Sequence, residues 1–382
     1  MKLADLPTPC LVVDRRILLR NIAAMDRAAA RHGVALRPHM KTAKSIDVAR
    51  LALNSAEAGP AAGRPGRGIA VSTLAEAEYF LGHDVTDILY AVGITPGKLE
   101  QVAKLNAAGA QMIVVTDDPG CASAIANFAA PMRVLIEVDC GEGRGGLDPE
   151  DPALLDIAAR LGPRLAGVMT HGGHSYAGRS LSDMELVAED ERAAVVRAAE
   201  RLAEAGHRVS MVSMGSTPTA LHAAGLAGIT ELRAGVYMFG DLFQAQIGTH
   251  GDGDIALTVL ASVIGGRKPQ PGATAGRLLL DAGAVALSKD RGTAAVRNDL
   301  GYGLMLDILG QASFGRAVVT AVWQEQALVE LDPAAAPQPL GVGSKVRILP
   351  NHACLTAAAH DRFFVVEGSD EVVAVWPKVS GW

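Results

Sequence analysis

The 382-residue chain has no uninterrupted apolar run of the ~18 residues that a membrane-crossing helix needs, so no membrane span is expected. It has no basic run and no basic patch interleaved with aromatic residues. With a formal net charge of -6, that argues against a nucleic-acid or anionic-membrane partner. Its four cysteines, Cys10, Cys121, Cys140 and Cys354, lack the spacing of a disulfide framework, and the expectation is a reduced, cytoplasmic protein. The first residues, Met1-Lys2-Leu3-Ala4-Asp5, carry acid early and have no apolar core of a secretory signal. There is no low-complexity tract. What remains is a globular composition, 49% hydrophobic and 20% charged, long enough for two domains or for one barrel with an added module.

Between 11 and 245 the pattern alternates. Short apolar runs at 34–36, 69–71, 87–90, 112–115, 133–138, 165–169, 209–212 and 231–234 predict eight strands. Helical spacing between them predicts helices such as 46–58, 74–81, 98–107, 154–161 and 183–205, and Asp14 can cap an earlier one. Continuous apolar runs suit parallel strands buried on both faces, and eight βα units predict an α/β fold, a (β/α)8 barrel. After about Asp241 the long amphipathic helices stop. Strand-like runs follow at 257–263, 277–281, 316–322, 345–349, 363–366 and 372–376, broken by Gly- and Pro-rich segments at 265–276 and 333–339. This predicts a C-terminal, mostly β domain over 246–382, joined by residues 1–10. The insert at 59–68 reads as a loop.

Functional groups of a βα barrel sit at the carboxyl ends of its strands. After 34–36 come His39 and Lys41, in a turn between strand and helix. A lysine there is either solvated or desolvated, and a desolvated amine loses its proton readily and can react with a carbonyl cofactor. After 165–169 come His171, His174 and Tyr176; after 209–212 come Gly215, Ser216 and Thr217; after 231–234 comes Tyr237. The Gly-Ser-Thr segment is either a phosphate cradle or a plain helix cap. Arg144, between two glycines, is a fixed cation suited to a phenolate or carboxylate, or else a surface ion pair. His39, His171 and His174 are acid/base candidates or hydrogen-bonded loop residues, and the two tyrosines either pack or meet a ring. Far downstream, His352 and Cys354 would point to the same side if their segment is extended, and imidazole with thiolate favours zinc or a similar metal. His360 and Asp361 could complete that set.

Together, Arg37-Pro38-His39-Met40-Lys41-Thr42, Val71-Ser72-Thr73, Gly143-Arg144-Gly145, Thr170-His171-Gly172-Gly173-His174-Ser175-Tyr176, Gly215-Ser216-Thr217-Pro218-Thr219, Arg233-Ala234-Gly235-Val236-Tyr237 and Pro350-Asn351-His352-Ala353-Cys354 resemble the D-threonine aldolase/D-serine dehydratase family. The resemblance spans nearly the whole chain. It implies an alanine-racemase-like barrel with a C-terminal β domain, pyridoxal 5'-phosphate, and a divalent metal (Zn, or Mn, Co or Mg). It implies that Lys41 is the Schiff-base lysine and the base for the α-proton, with His39 beside it. Gly215, Ser216, Thr217 and Tyr237 would hold the phosphate. Arg144, His171, Tyr176 and Arg233 would surround the ring, and His352 and Cys354 would bind the metal. Dehydratase members of the family carry His-x-Cys where aldolases carry His-x-Asp. The resemblance therefore implies dehydration of a D-3-hydroxy amino acid, D-threo-3-hydroxyaspartate or D-serine, to a 2-oxo acid and ammonia. Retro-aldol cleavage to glycine and an aldehyde is the alternative; an amino-acid racemase or a non-catalytic pyridoxal-phosphate carrier fits less well. A homodimer is the family's habit. One departure is Gln326, where relatives have histidine; an amide cannot move a proton. Arg291 is a candidate partner for a second substrate carboxylate.

Overall fold

The computed structural model describes residues 1–55, 68–267, 276–334 and 340–382. The loops expected at 59–68, 265–276 and 333–339 lie largely outside these residues. Two compact units are present, one formed by 22–235 with 379–382, the other by 1–21 with 236–378.

The chain begins with strand β1 (Cys10–Asp14) and helix α1 (Arg15–Arg31). Asp14 accepts a hydrogen bond from the Arg16 backbone at 2.9 Å, as its position before a helix suggests. The strands and helices then alternate: β2 (Ala35–Pro38), α2 (Ile46–Leu53), β3 (Ile69–Val71), α3 (Leu74–Leu81), β4 (Asp87–Gly93), α4 (Leu99–Ala107), β5 (Gln111–Thr116), α5 (Pro119–Asn127) and β6 (Arg133–Glu137). They continue with α6 (Ala153–Leu161), β7 (Leu165–Met169), α7 (Leu181–Glu204), β8 (Met211–Met214), α8 (Thr217–His222) and β9 (Glu231–Ala234).

Strands β2 to β9 form a parallel eight-stranded sheet, and a bridge between His39 and Ala70 closes it into a barrel. Its interior is filled by Ala70, Leu89, Ile113, Val115, Leu135, Ala166, Met169 and Met211. Burial of each larger side chain there contributes about 1.5–3 kcal/mol, the main reason the apolar runs become strands. One polar chain crosses this interior. Arg37 bonds Asp87 and Glu231, each at 2.8 Å; Ser213 donates to Glu231 at 2.7 Å; Arg233 donates to Ser213 and to the Thr170 carbonyl, each at 2.6 Å. Such buried charges are tolerated because each is paired or hydrogen-bonded.

The second unit holds β1 with α9 (Leu242–Gln246), β10 (Leu257–Arg267), β11 (Arg277–Leu280), α10 (Ala284–Leu287), β12 (Gly303–Leu306), β13 (Val318–Val322), β14 (Ala327–Glu330), β15 (Lys345–Pro350), α11 (Ala353–Ala358), β16 (Arg362–Val366) and β17 (Ala374–Pro377). Its nine-stranded sheet runs β11-β14-β13-β12-β15-β10-β1-β16-β17, and an added β10–β11 pairing rolls six of the strands into a small barrel. Residues 11–13, which open the alternating region at 11–245, lie inside this sheet instead. Their strand, β1, is antiparallel to β10 and parallel to β16, and all five of its residues are buried. Strands β12 and β14 are not among those expected from the sequence.

Candidate active site

The loop after β2 is stitched on both sides. His39 N–H donates to the Ala234 carbonyl at 2.7 Å and Met40 N–H to the Ala70 carbonyl at 2.8 Å, while Lys44 N–H turns back to Met40 at 2.8 Å. Lys44 also pairs with buried Glu76 at 3.0 Å. These contacts fix the backbone that carries Lys41. Its own N–H donates to His39 Nδ1 at 3.3 Å, which leaves the His39 proton on Nε2. Lys41 itself is exposed, not desolvated, because the strand ends at Pro38 and delivers the amine beyond the packed interior. Gly235 is needed beside it: a Cβ there would sit 2.8 Å from the His39 carbonyl oxygen.

Two neighbouring loops, after β7 and β8, are joined by a residue that sequence reasoning missed. Glu191, in the middle of α7 and fully buried, accepts from Gly172 N–H at 2.6 Å and from Gly215 N–H at 2.8 Å. A glutamate within an amphipathic helix reads as solvated, and only the folded chain shows it turned inward. His171 Nδ1 donates to the Gly215 carbonyl at 2.8 Å, and the Ser175 and Ser216 hydroxyls meet at 2.9 Å. Gly215 has φ +136, and an added Cβ would lie 2.3 Å from the Arg233 carbonyl oxygen, so only glycine fits the turn. Ser216 caps α8: Thr219 N–H donates to its hydroxyl at 3.3 Å, and its own N–H donates to Thr219 Oγ1 at 2.9 Å. Ser216 thus stands at the N-cap of α8, with Thr217 at the first helical position.

Lys41, Arg144 and Arg233 converge electrostatically on the two histidines. Burial first, then these three cations, hold His171 down at about pKa 3. Burial followed by Lys41, Arg233 and His171 holds His39 well below its ordinary value. Both rings are thus neutral in a cationic surrounding. Arg233 is buried with its guanidinium committed to Ser213 and Thr170, whereas Arg144 is exposed and pairs with Glu142 at 3.5 Å. Tyr176 lies half-buried in the helical turn Gly173–Ala177. The barrel unit therefore brings together His39, Lys41, Arg144, His171, Gly215, Ser216 and Arg233. Tyr237 belongs to the other unit, where it is buried and its carbonyl accepts from His250 at 2.9 Å.

His352 and Cys354 also lie in that unit. Their juxtaposition does not come from an extended segment. His352 is the last extended residue, with φ -137 and ψ 110, and α11 begins at Ala353. The sulfur reaches the imidazole from the first helical turn. Burial opposes protonation of His352, but a hydrogen bond to Asp290 and the Cys354 sulfur raise its pKa to about 11. His352 Nδ1 donates to Asp290 Oδ2 at 2.5 Å, which leaves Nε2 for a ligand, the carboxylate–histidine arrangement common behind metals. Asp241 accepts from Gln244 and Ala353 N–H at 2.8 and 2.9 Å and so ties α9 to the start of α11. His360 and Asp361 are engaged elsewhere, with the Ala286 carbonyl and with Arg362. Burial pushes the Cys10 and Cys140 thiols up to about 12, too weakly acidic for easy metal binding. No set of three or more His, Cys, Asp or Glu able to hold a metal occurs among the described residues. Arg291 pairs with Asp299 and lies 5.4 Å over the Tyr302 ring; Gln326 sits exposed at the tip of the β13–β14 hairpin.

Residues 13–242 match the family model of the alanine racemase N-terminal domain, and residues 256–366 match that described as "Putative serine dehydratase domain". D-threo-3-hydroxyaspartate dehydratase of Delftia sp. (strain HT23) is 42% identical, over 100% of this chain and 99% of its own. D-serine dehydratase of Dictyostelium discoideum is 29% identical, over 99% and 98%. A mutant of D-threo-3-hydroxyaspartate dehydratase, solved in the metal-free form, superposes with a TM-score of 0.90 at 40% identity and covers 100% of both chains. The chain belongs to the family that joins an alanine racemase N-terminal domain to a serine dehydratase domain, the family of D-threo-3-hydroxyaspartate dehydratase.

Proposed function

We propose that this protein is a pyridoxal-phosphate- and metal-dependent lyase that dehydrates D-threo-3-hydroxyaspartate, or D-serine, to a 2-oxo acid and ammonia. The observation that carries the reading is end-to-end similarity to D-threo-3-hydroxyaspartate dehydratase together with a cysteine, Cys354, two residues after His352.

The donor set fits the cofactor. One primary amine, two guanidinium groups and the hydroxyls of Ser216 and Thr217 stand on or after β2, β6, β8 and β9, around two histidines that burial and these cations keep neutral. That is the complement of a small aldehyde bearing a phosphate and a phenolate. When bound, pyridoxal phosphate supplies an electron-withdrawing ring that acidifies the substrate's Cα–H. Lys41 would hold the cofactor and, as a free amine, could take the proton from Cα. Gly215, Ser216 and Thr217 would hold the phosphate. Arg144 meets the phenolate side, and Arg233, His171 and Tyr176 orient the ring. His39, its proton on Nε2, buttresses the lysine loop.

The metal pair also fits. Two protein ligands are too few for a structural zinc, which takes four, and they leave coordination positions for substrate and water. A divalent metal held by His352 and Cys354 supplies Lewis acidity toward a hydroxyl. Asp290 keeps the His352 proton on Nδ1 and so presents Nε2. The set suits zinc, with manganese or cobalt as substitutes. We further propose a cytoplasmic homodimer.

The test is a product assay over D-threo-3-hydroxyaspartate, D-serine and D-threonine. Keto acid with equimolar ammonia, fastest from hydroxyaspartate, is the expected result. Glycine with an aldehyde as the main products would replace dehydration by retro-aldol cleavage.

A further inference from the structure

The β unit contains a cavity of about 520 Å³. Its floor is one face of the sheet. Leu304 and Leu306 alternate onto it from β12, Arg347 and Leu349 from β15, and Thr258 from β10, in paired register. Leu242, Leu300 and Ile255 complete its apolar wall. In that wall stands one buried cation. Arg347 is 6% exposed, and its Nε donates to Thr258 Oγ1 at 2.9 Å. No carboxylate among the described residues forms an ion pair with it. The two acids nearest in charge are occupied: Asp14 holds the Arg16 backbone at 2.9 Å, and Asp307 holds Ser313 together with Gln311 N–H at 2.9 Å. Room for the free end of the guanidinium is made by Gly310, where an added Cβ would come within 2.7 Å of Nη1.

A charge this buried costs free energy unless something pairs with it. The cost is visible in the guanidinium itself, whose pKa burial lowers to about 10 despite Asp14 and Asp307. A volume of this size suits a small organic molecule. Asp14, Asp252 and the exposed Arg316 also line the cavity, but Arg347 is its one buried cation. A single buried cation beside hydrocarbon suits one negative charge carried on an apolar body. We propose that this cavity binds a small monocarboxylate with a hydrocarbon tail, its carboxylate on the Arg347 guanidinium and its tail against the leucines. The site shares no residue with the catalytic set above.

The test is calorimetry on the purified full-length protein with octanoate as the probe and octan-1-ol as the uncharged control. One octanoate per chain is expected, bound at least ~10-fold more tightly than the alcohol. Arg347→Gln removes the difference between the two. Leu304→Trp, which keeps the charge and fills the cavity, abolishes binding of both. No saturable binding by the unaltered protein overturns the proposal without reference to any variant. Equal affinity for acid and alcohol overturns it as well, as does Arg347→Gln binding octanoate like the parent. A dimer that protects the backbone of β12 from hydrogen exchange and excludes octanoate would assign this face to a second copy and would also overturn it.

Discussion

Single side chains decide most of the site's chemistry, and Glu191 is the clearest case. It is one carboxylate held between the amides of Gly172 and Gly215, and burial raises its pKa. Glu191→Ala would strand two buried donors at about 1–3 kcal/mol each, and pyridoxal phosphate should bind at least ~10-fold more weakly by fluorescence titration. Glu191→Gln keeps an acceptor and should recover most of the affinity; equal loss in both variants would mean that the charge, not the acceptor, matters. His171 gives a prediction in pH. Its folded pKa, about 3, lies below the ordinary 6.5, so between those values the unfolded chain binds a proton that the folded chain refuses. Stability without cofactor should therefore fall as pH drops from 6.5 toward 3, by up to about 1.4 kcal/mol per unit. Thermal midpoints for the parent and His171→Gln at pH 7 and 5 check this: the variant should lose less on acidification. A parallel decline would refute it.

At the scale of elements, the barrel depends on how closely its strands approach. Gly167, in β7 with φ +152, lies against β8, and a Cβ there would come within 1.9 Å of the Met211 carbonyl oxygen. Gly167→Ala must therefore push β7 from β8, the two strands whose ends carry His171 and Gly215. We expect loss of soluble protein, or destabilisation of about 3 kcal/mol or more, read by circular dichroism on heating. Elements were also where the sequence was most legible. All eight barrel strands overlap the apolar runs expected for them, since a parallel strand buried on both faces is mostly apolar. The missed strands lack that signature. β12 begins at Gly303, two residues after Gly301, and the four residues of β14 alternate between buried and half-exposed after the polar turn Trp323-Gln324-Glu325-Gln326.

For the whole molecule, the two units carry separable halves of the proposed chemistry. Lys41→Ala should abolish the bound pyridoxal absorbance yet leave metal content by atomic absorption unchanged. A chelator should do the reverse, removing turnover and sparing the absorbance, with zinc or manganese restoring activity. Full activity in chelator would refute the metal role, and an unchanged spectrum in Lys41→Ala would refute the lysine's.

The sequence by itself determined the alternation of strand and helix and the change of character near Asp241, because local periodicity is written in neighbouring residues; it also singled out His39, Lys41, Gly215, Ser216, His352 and Cys354 as candidates from their places after strand-like runs. Tertiary structure alone decided that 10–14 joins the nine-stranded sheet, that His352 and Cys354 meet across a helix start, that Asp290 reaches His352, and that Glu191 and Arg347 turn inward. Each of these depends on partners distant in the chain. A charged side chain reveals whether it is solvated or paired only when the fold has brought its partner to it, or left it without one.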